Sequence, residues 1–381
     1  MPDLIEFKCP CCGGKLEFDA TVQKMKCPYC DSEIDVDELQ QNDEALDEPA
    51  EESADEESTN GEAANADNVV WEETAGSEWE DGETDGIKVY SCKSCGGEIV
   101  ADETTGATSC PYCGNPVVMT ASFSGALKPD YVIPFKVTKE QAKDALKKHY
   151  EDKKFLPKVF KSENHLDEIK GVYVPFWLFD TVANANMTYE MDALKSWGDT
   201  RYNYTETSHY AGCREGTVQF NNVPVDGSSK MPDDMMEAIE PFDFAEAVPF
   251  KTAYLSGYMA DKYDVDDVAS SERAGNRIKT STEDMFRQTI DNGFSNVRIK
   301  ESNITLSDSK AKYALYPVWL LTTSFNKTQN LFAVNGQTGK IVGDLPIDKK
   351  LVRRYRLIRT LIGGGIVYAF LFLLGKMGGL L

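Results

Sequence analysis

Near its start the chain reads Cys9-Pro10-Cys11-Cys12-Gly13-Gly14, closed by Cys27-Pro28-Tyr29-Cys30. The pattern returns as Cys92-Lys93-Ser94-Cys95-Gly96-Gly97, closed by Cys110-Pro111-Tyr112-Cys113. Cys9, Cys12, Cys27 and Cys30 each have a counterpart 83 residues later, in Cys92, Cys95, Cys110 and Cys113, and 14 residues separate the two Cys-x-x-Cys pairs in both copies. A Cys-x-x-Cys turn aims two thiolates at one point, and two such turns make a tetrahedral four-sulfur site. Gly13, Gly96 and Gly114 follow cysteines where a tight turn calls for positive φ. Soft thiolates select zinc or iron. Two zinc ions, one per cluster, are the expected cofactors; rubredoxin-like iron is the second reading and paired disulfides the third. The sequence carries no secretory signal, which argues against disulfides. Four thiolates leave no open position, so both sites are expected to be structural and not catalytic. The register sets Cys12 opposite Cys95, which leaves Cys11 as the spare. Cys213 stands apart and is expected to be a buried or unligated thiol.

Outward from the cysteines, charge divides the chain. Of 381 residues with a formal net charge of −23, Asp31 to Gly86 contribute 23 Asp/Glu and no Lys or Arg. Such a segment buries too little apolar surface to offset chain entropy. The expected organisation is zinc ribbon 1 at 1–35, a disordered acidic linker at 36–86, zinc ribbon 2 at 87–120 and an α+β domain at 121–347. A basic juxtamembrane segment at 348–359 and a transmembrane helix at 360–381 complete it. Each ribbon is a pair of β-hairpin knuckles whose folding energy comes from metal. In ribbon 1, Leu16-Glu17-Phe18 and Lys24-Met25-Lys26 alternate as short strands; in ribbon 2 the turn falls at Glu103–Gly106. The linker is a spacer or a segment for a basic partner, with Val69, Val70, Trp71 and Trp79 as docking points.

Within 121–347, Thr138 and Gln141 form a capping box for a helix near 139–152, and Pro232 starts another at Asp233–Ile239. A long helical region is expected near 251–292. Strand-like runs are Gly171–Asp180, Asn186–Asp192, Arg201–His209, Thr217–Val225, Asn303–Leu306 and Tyr313–Phe325. Ile133-Pro134-Phe135-Lys136 returns as Val248-Pro249-Phe250-Lys251, and Val174-Pro175-Phe176-Trp177 as Tyr316-Pro317-Val318-Trp319. This echo reads as two related helix–strand units sharing a sheet. Asn335 to Lys340 is Gly-rich but lacks the Walker spacing and reads as a hairpin loop. Val225 to Lys230 holds serines and a lysine without triad spacing.

At the C-terminus six basic residues, Lys349, Lys350, Arg353, Arg354, Arg356 and Arg359, precede an apolar run. Thr360 to Gly375 is 16 residues, about 24 Å of helix against a hydrocarbon core of about 30 Å. Extension through Lys376 to Leu381 gives 22 residues, about 33 Å. The expectation is a single-pass helix in the cell membrane, anionic lipid at its basic flank and the bulk of the chain in the cytoplasm.

The chain resembles a bacterial family of double-zinc-ribbon proteins with a C-terminal membrane segment. Cys95-Gly96-Gly97-Glu98-Ile99, Ser109-Cys110-Pro111-Tyr112-Cys113-Gly114-Asn115-Pro116-Val117, Gly171 to Asp180, Val223 to Pro232 and Asn335 to Pro346 carry the resemblance. Such proteins are labelled transcription-factor-IIB-type zinc ribbons, or replication-restart helicase through their cysteine knuckles. The resemblance implies no activity. The first functional expectation is therefore a non-enzymatic, membrane-anchored zinc protein, an adaptor for a protein partner. The second is nucleic-acid binding, disfavoured because only Lys8, Lys15, Lys24 and Lys26 mark ribbon 1, little beyond Lys88 and Lys93 marks ribbon 2, and the acidic stretch repels phosphate. The third is an enzyme, if Asp180, Tyr204, His209 and Asp226 converge.

Overall fold

The computed structural model describes residues 9–12, 16–41, 64–65, 71, 75–79, 84, 87–92, 95–102, 110–113, 118–122, 127–151, 153–157, 168–325, 328–343, 345 and 347–378. The turn at Glu103–Gly106, Gly13, Gly114, Val69, Val70 and most of the acidic stretch lie outside these residues.

The architecture is built on three very long strands, β9 (Lys170–Gly198), β10 (Asn203–Asp226) and β13 (Asn296–Phe325). β9 pairs antiparallel with β10 on one edge and with β13 on the other. The first half of β9 is a continuous apolar run buried on both faces; its second half alternates, with Ala183, Ala185, Met187, Tyr189 and Met191 buried. One strand thus carries two burial patterns, because different layers cover its two halves. Tyr173, Trp177, Tyr313 and Trp319 join the cluster on one face, while Val172, Val174, Phe176, Tyr316 and Val318 join the other.

Shorter strands extend this sheet. β8 (Tyr131–Val132) runs parallel to β13, and β11 (Val248–Pro249) pairs with β8. β12 (Met259–Asp261) runs parallel to the start of β9 and antiparallel to β6 (Glu98–Asp102), which pairs with β5 (Ile87–Ser91). β5 in turn pairs with β7 (Val118–Ser122), and β14 (Thr328–Asn335) joins β13 to β15 (Ile341–Val342). β1 (Glu17–Asp19), β2 (Lys24–Lys26) and β3 (Glu33–Ile34) form a separate three-stranded sheet. The described helices are α1 (Val36–Gln41), α2 (Lys139–Glu151), α3 (Asp233–Ile239), α4 (Asp267–Gln288) and α5 (Lys349–Gly378). The Thr138–Gln141 capping box forms in both directions at the start of α2.

Several sequence-based expectations need correction. The region 121–347 is a large mixed β-sheet with few helices, not an α+β domain of helix–strand units. Separate strand-like runs fuse because turn-like residues between them sit in long ladders; Asp308, at φ 51, marks a register shift within β13 rather than its end. The helical region near 251–292 divides into a 3₁₀ turn at Thr252–Leu255, strand β12 and helix α4.

The described parts of the acidic stretch are ordered against the sheet. β4 (Ala64–Asn65) pairs with β13, and Trp71 packs on Phe179 with ring centroids 4.7 Å apart. Trp79 packs on Phe250 at 5.9 Å, and Ser77 exchanges backbone hydrogen bonds with Lys128. Here apolar docking overrides composition.

Among the described residues no helix is long and apolar enough to cross a membrane. The transmembrane helix, the membrane and anionic-lipid partners, and the single-pass placement at the cell membrane with the bulk of the chain in the cytoplasm fall with that finding. The expected span needed every residue through Leu381, and 379–381 lie outside the described residues. The apolar run alone, at about 24 Å, is short of a bilayer core.

Candidate metal centres

Each set of four cysteines comes together. The Sγ atoms of Cys9, Cys12, Cys27 and Cys30 all lie within 4.8 Å of one another, as do those of Cys92, Cys95, Cys110 and Cys113. Cys9 to Cys30 is 3.5 Å, Cys12 to Cys27 3.4 Å, Cys92 to Cys113 3.5 Å and Cys95 to Cys110 3.6 Å. These spacings far exceed a disulfide bond of about 2.05 Å. They approach the ~3.8 Å between sulfurs set tetrahedrally about 2.3 Å from one ion. The donor set, four soft sulfurs with no vacant position, fits zinc or iron held structurally.

Local backbone shapes both knuckles. Gly96 follows Cys95 at φ +72, and its N–H bonds the Cys92 carbonyl at 2.8 Å. Asp31 takes φ +56 after Cys30, and its N–H bonds the Cys27 carbonyl at 2.9 Å. The two sites differ electrostatically. Burial raises the Cys9 thiol, but backbone N–H groups of Cys11 and Cys12 outweigh it and bring the pKa down to about 6. Ser32 lowers Cys30. Burial instead raises Cys95 and Cys110. The outer ligands follow the same division: Cys12 and Cys30 are exposed, while Cys95 and Cys113 are half-buried. Cys11 and Cys213 are exposed and stand outside both clusters.

Neither cluster is a free-standing module. Cys9 and Cys27 pack with Leu16, Phe18 and Met25 into the core on one face of the sheet; Cys92, Cys110 and Tyr112 pack into the core on the other. Site 1 is docked by Ser256, whose Oγ donates to the Leu16 carbonyl at 2.8 Å, and by Gln23, whose Nε2 donates to the Phe135 carbonyl at 2.7 Å. Phe18 meets Tyr254 edge-on at 5.2 Å. Site 2 is docked by Thr322, whose Oγ1 donates to the carbonyls of Pro111 and Tyr112 at 2.5 and 3.1 Å. Beneath it the Ser228 hydroxyl donates to the buried Asp261 carboxylate. Burial pushes Asp261 up to about 7, against the Ser228 hydrogen bond. Sequence reasoning missed Ser256 and Thr322 because they lie up to 240 positions from the residues they dock, and nothing local marks the contact.

The enzyme set does not assemble. Asp180 pairs with Lys312 at 2.5 Å, His209 Nδ1 with Asp192 at 2.7 Å, and Asp226 with Arg273 at 3.1 Å. The Tyr204 hydroxyl donates to Asp199 at 3.3 Å. No two of the four share a partner among the described residues. Burial raises Asp226 to about 6, with Arg273 opposing.

The chain is similar to a Bacillus subtilis (strain 168) protein described as the uncharacterised protein YdjG. The two are 29% identical over 337 residues, covering 72% of this chain and 98% of YdjG. No family model matches the chain, so the transcription-factor and helicase labels gain no support. No solved structure gives a significant match.

Proposed function

We propose that the chain is a non-enzymatic zinc-binding protein in which two structural ions hold two cysteine modules on opposite faces of one large β-sheet. Cys9, Cys12, Cys27 and Cys30 hold one ion; Cys92, Cys95, Cys110 and Cys113 hold the other. The observation that carries this reading is the gathering of each four-sulfur set within 4.8 Å. Four protein ligands per ion leave no place for a substrate or an activated water. Within this reading the modules present a metal-braced surface to a protein partner. Nucleic acid is the weaker partner class: Lys24 and Lys26 are already paired with Asp35 at 3.0 Å and Asp31 at 3.7 Å.

Metal analysis of the purified full chain, joined to capture from lysate with and without chelator, tests the proposal. Two zinc ions per chain and a protein recovered only by the metal-loaded form support it. Iron, or no metal, overturns the assignment. Nucleic acid that co-purifies and is lost at high salt replaces the protein-partner reading.

A further inference from the structure

We propose that the outer edge of β10 pairs antiparallel with β10 of a second copy, in the register that sets Tyr210 opposite Tyr210. This interface is independent of the metal reading.

Among the described residues β10 pairs with β9 alone, and its other edge meets no strand. Natural edge strands are short or are blunted by lysine, proline or a bulge, because a bare row of N–H and C=O groups recruits another strand. Over most of its length β10 has no lysine, proline or bulge, and its charged residues include an opposite pair, Glu206 and Arg214, that a second copy can match. From Asn203 to Phe220 it contains no Lys and no Pro, and the ladder to β9 runs without a register shift. Residues 203–207 and 209–211, Cys213 and Glu215 are exposed.

Symmetry then restricts the register. Residues along β10 point their backbone groups alternately toward β9 and outward. A twofold pairing must set outward residues against outward residues, so one residue faces its own copy. The centre at Tyr210 is the one that places Glu206 opposite Arg214, and the twofold makes that ion pair twice. It also sets Thr205 opposite Glu215, Thr207 opposite Cys213 and His209 opposite Ala211, with no like charges facing. The exposed Tyr204 falls opposite Gly216, beside the Phe286 ring that packs over that glycine.

The experiment uses the full-length, metal-loaded chain and measures its mass by sedimentation over a concentration series. A dimer is expected. Glu206→Arg sets two arginine pairs face to face and weakens the dimer by about tenfold or more. Adding Arg214→Glu to that variant restores it. Independently, Thr207→Cys places a thiol opposite native Cys213 at ~4.5–5.5 Å between Cα atoms, within disulfide reach. Mild oxidation then yields a covalent dimer that Thr207→Cys/Cys213→Ser does not form. Circular dichroism checks that each variant is folded. A monomer at every concentration, a dimer indifferent to Glu206→Arg, or cross-linking that persists without Cys213 overturns the proposal.

Discussion

Cys27 and Cys110 are fully or almost fully buried ligand positions, one in each cluster. Cys27→Ser and Cys110→Ser are each expected to lose one of two zinc ions and to lower the thermal midpoint of the whole chain. Paired metal and calorimetric measurements check this; a variant that keeps both ions would show that the cluster is not a four-sulfur ligand set. Asp261 offers a test by pH. Its carboxyl titrates near 7 in the fold, because burial disfavours the charge, and near 3.9 in an unfolded chain. Between those values the folded state holds a proton that the unfolded state lacks, so this group's contribution to stability falls as pH rises. Asp261→Asn removes that slope. Denaturant unfolding should find the variant gaining on the parent protein from about pH 4 to 7, with the gap closing in acid. At this scale the two four-cysteine clusters were legible in the sequence, because a strict 83-residue offset and paired Cys-x-x-Cys turns constrain them together. Asp261 and Thr322 were not, since nothing near them in the chain marks what they touch.

The Pro-x-Trp strands show what elements add. The Trp177 indole N–H donates to the Val265 carbonyl just before α4, and Trp319 donates to Val137 just before α2, both at 2.8 Å. Gly227 donates its N–H to the Pro175 carbonyl at 2.9 Å, and Gly336 to that of Pro317 at 2.8 Å. The carbonyl of Gly227 accepts from Asp264 and Val265, and that of Gly336 from Lys136 and Val137. Each strand pair thus closes on the segment that enters the other copy's helix. A Cβ on Gly227 would sit 2.9 Å from the Trp177 indole nitrogen, and one on Gly336 2.7 Å from Phe135. Gly227→Ala and Gly336→Ala should each cost about 1–3 kcal/mol in equilibrium unfolding. Trp319→Phe, which forfeits a hydrogen bond and leaves a carbonyl unpaired, should cost about 1–3 kcal/mol. The repeat itself was readable from sequence. Its reciprocal closure was not, because a bond between Trp177 and Val265 spans 88 residues.

For the whole molecule, the two cysteine clusters differ in shelter. Cys12 and Cys30 are exposed, whereas Cys95 and Cys113 are half-buried beside strands of the main sheet. A chelator should therefore strip site 1 first, in two resolved phases of zinc release. Loss of the second ion should raise amide exchange in β6 and β12, which pair directly beside site 2. Simultaneous release, or exchange confined to β1–β3, would contradict this ordering.

The sequence alone determined the two four-cysteine clusters, the knuckle turns, the capping box of α2 and the duplicated Pro-x-Trp motif. Each depends on residues a few positions apart or on an unbroken repeat offset, so local geometry and thiolate chemistry suffice. Tertiary structure alone decided that short apolar runs join into strands of 29, 24 and 30 residues, and that the described acidic segments dock on the sheet. It also decided that the cysteine modules brace opposite faces and that no described helix qualifies as a membrane span. The reason is physical: a strand's length and burial are set by its partners, β13 meets β9 across more than a hundred residues of chain, and no local pattern encodes which partner arrives.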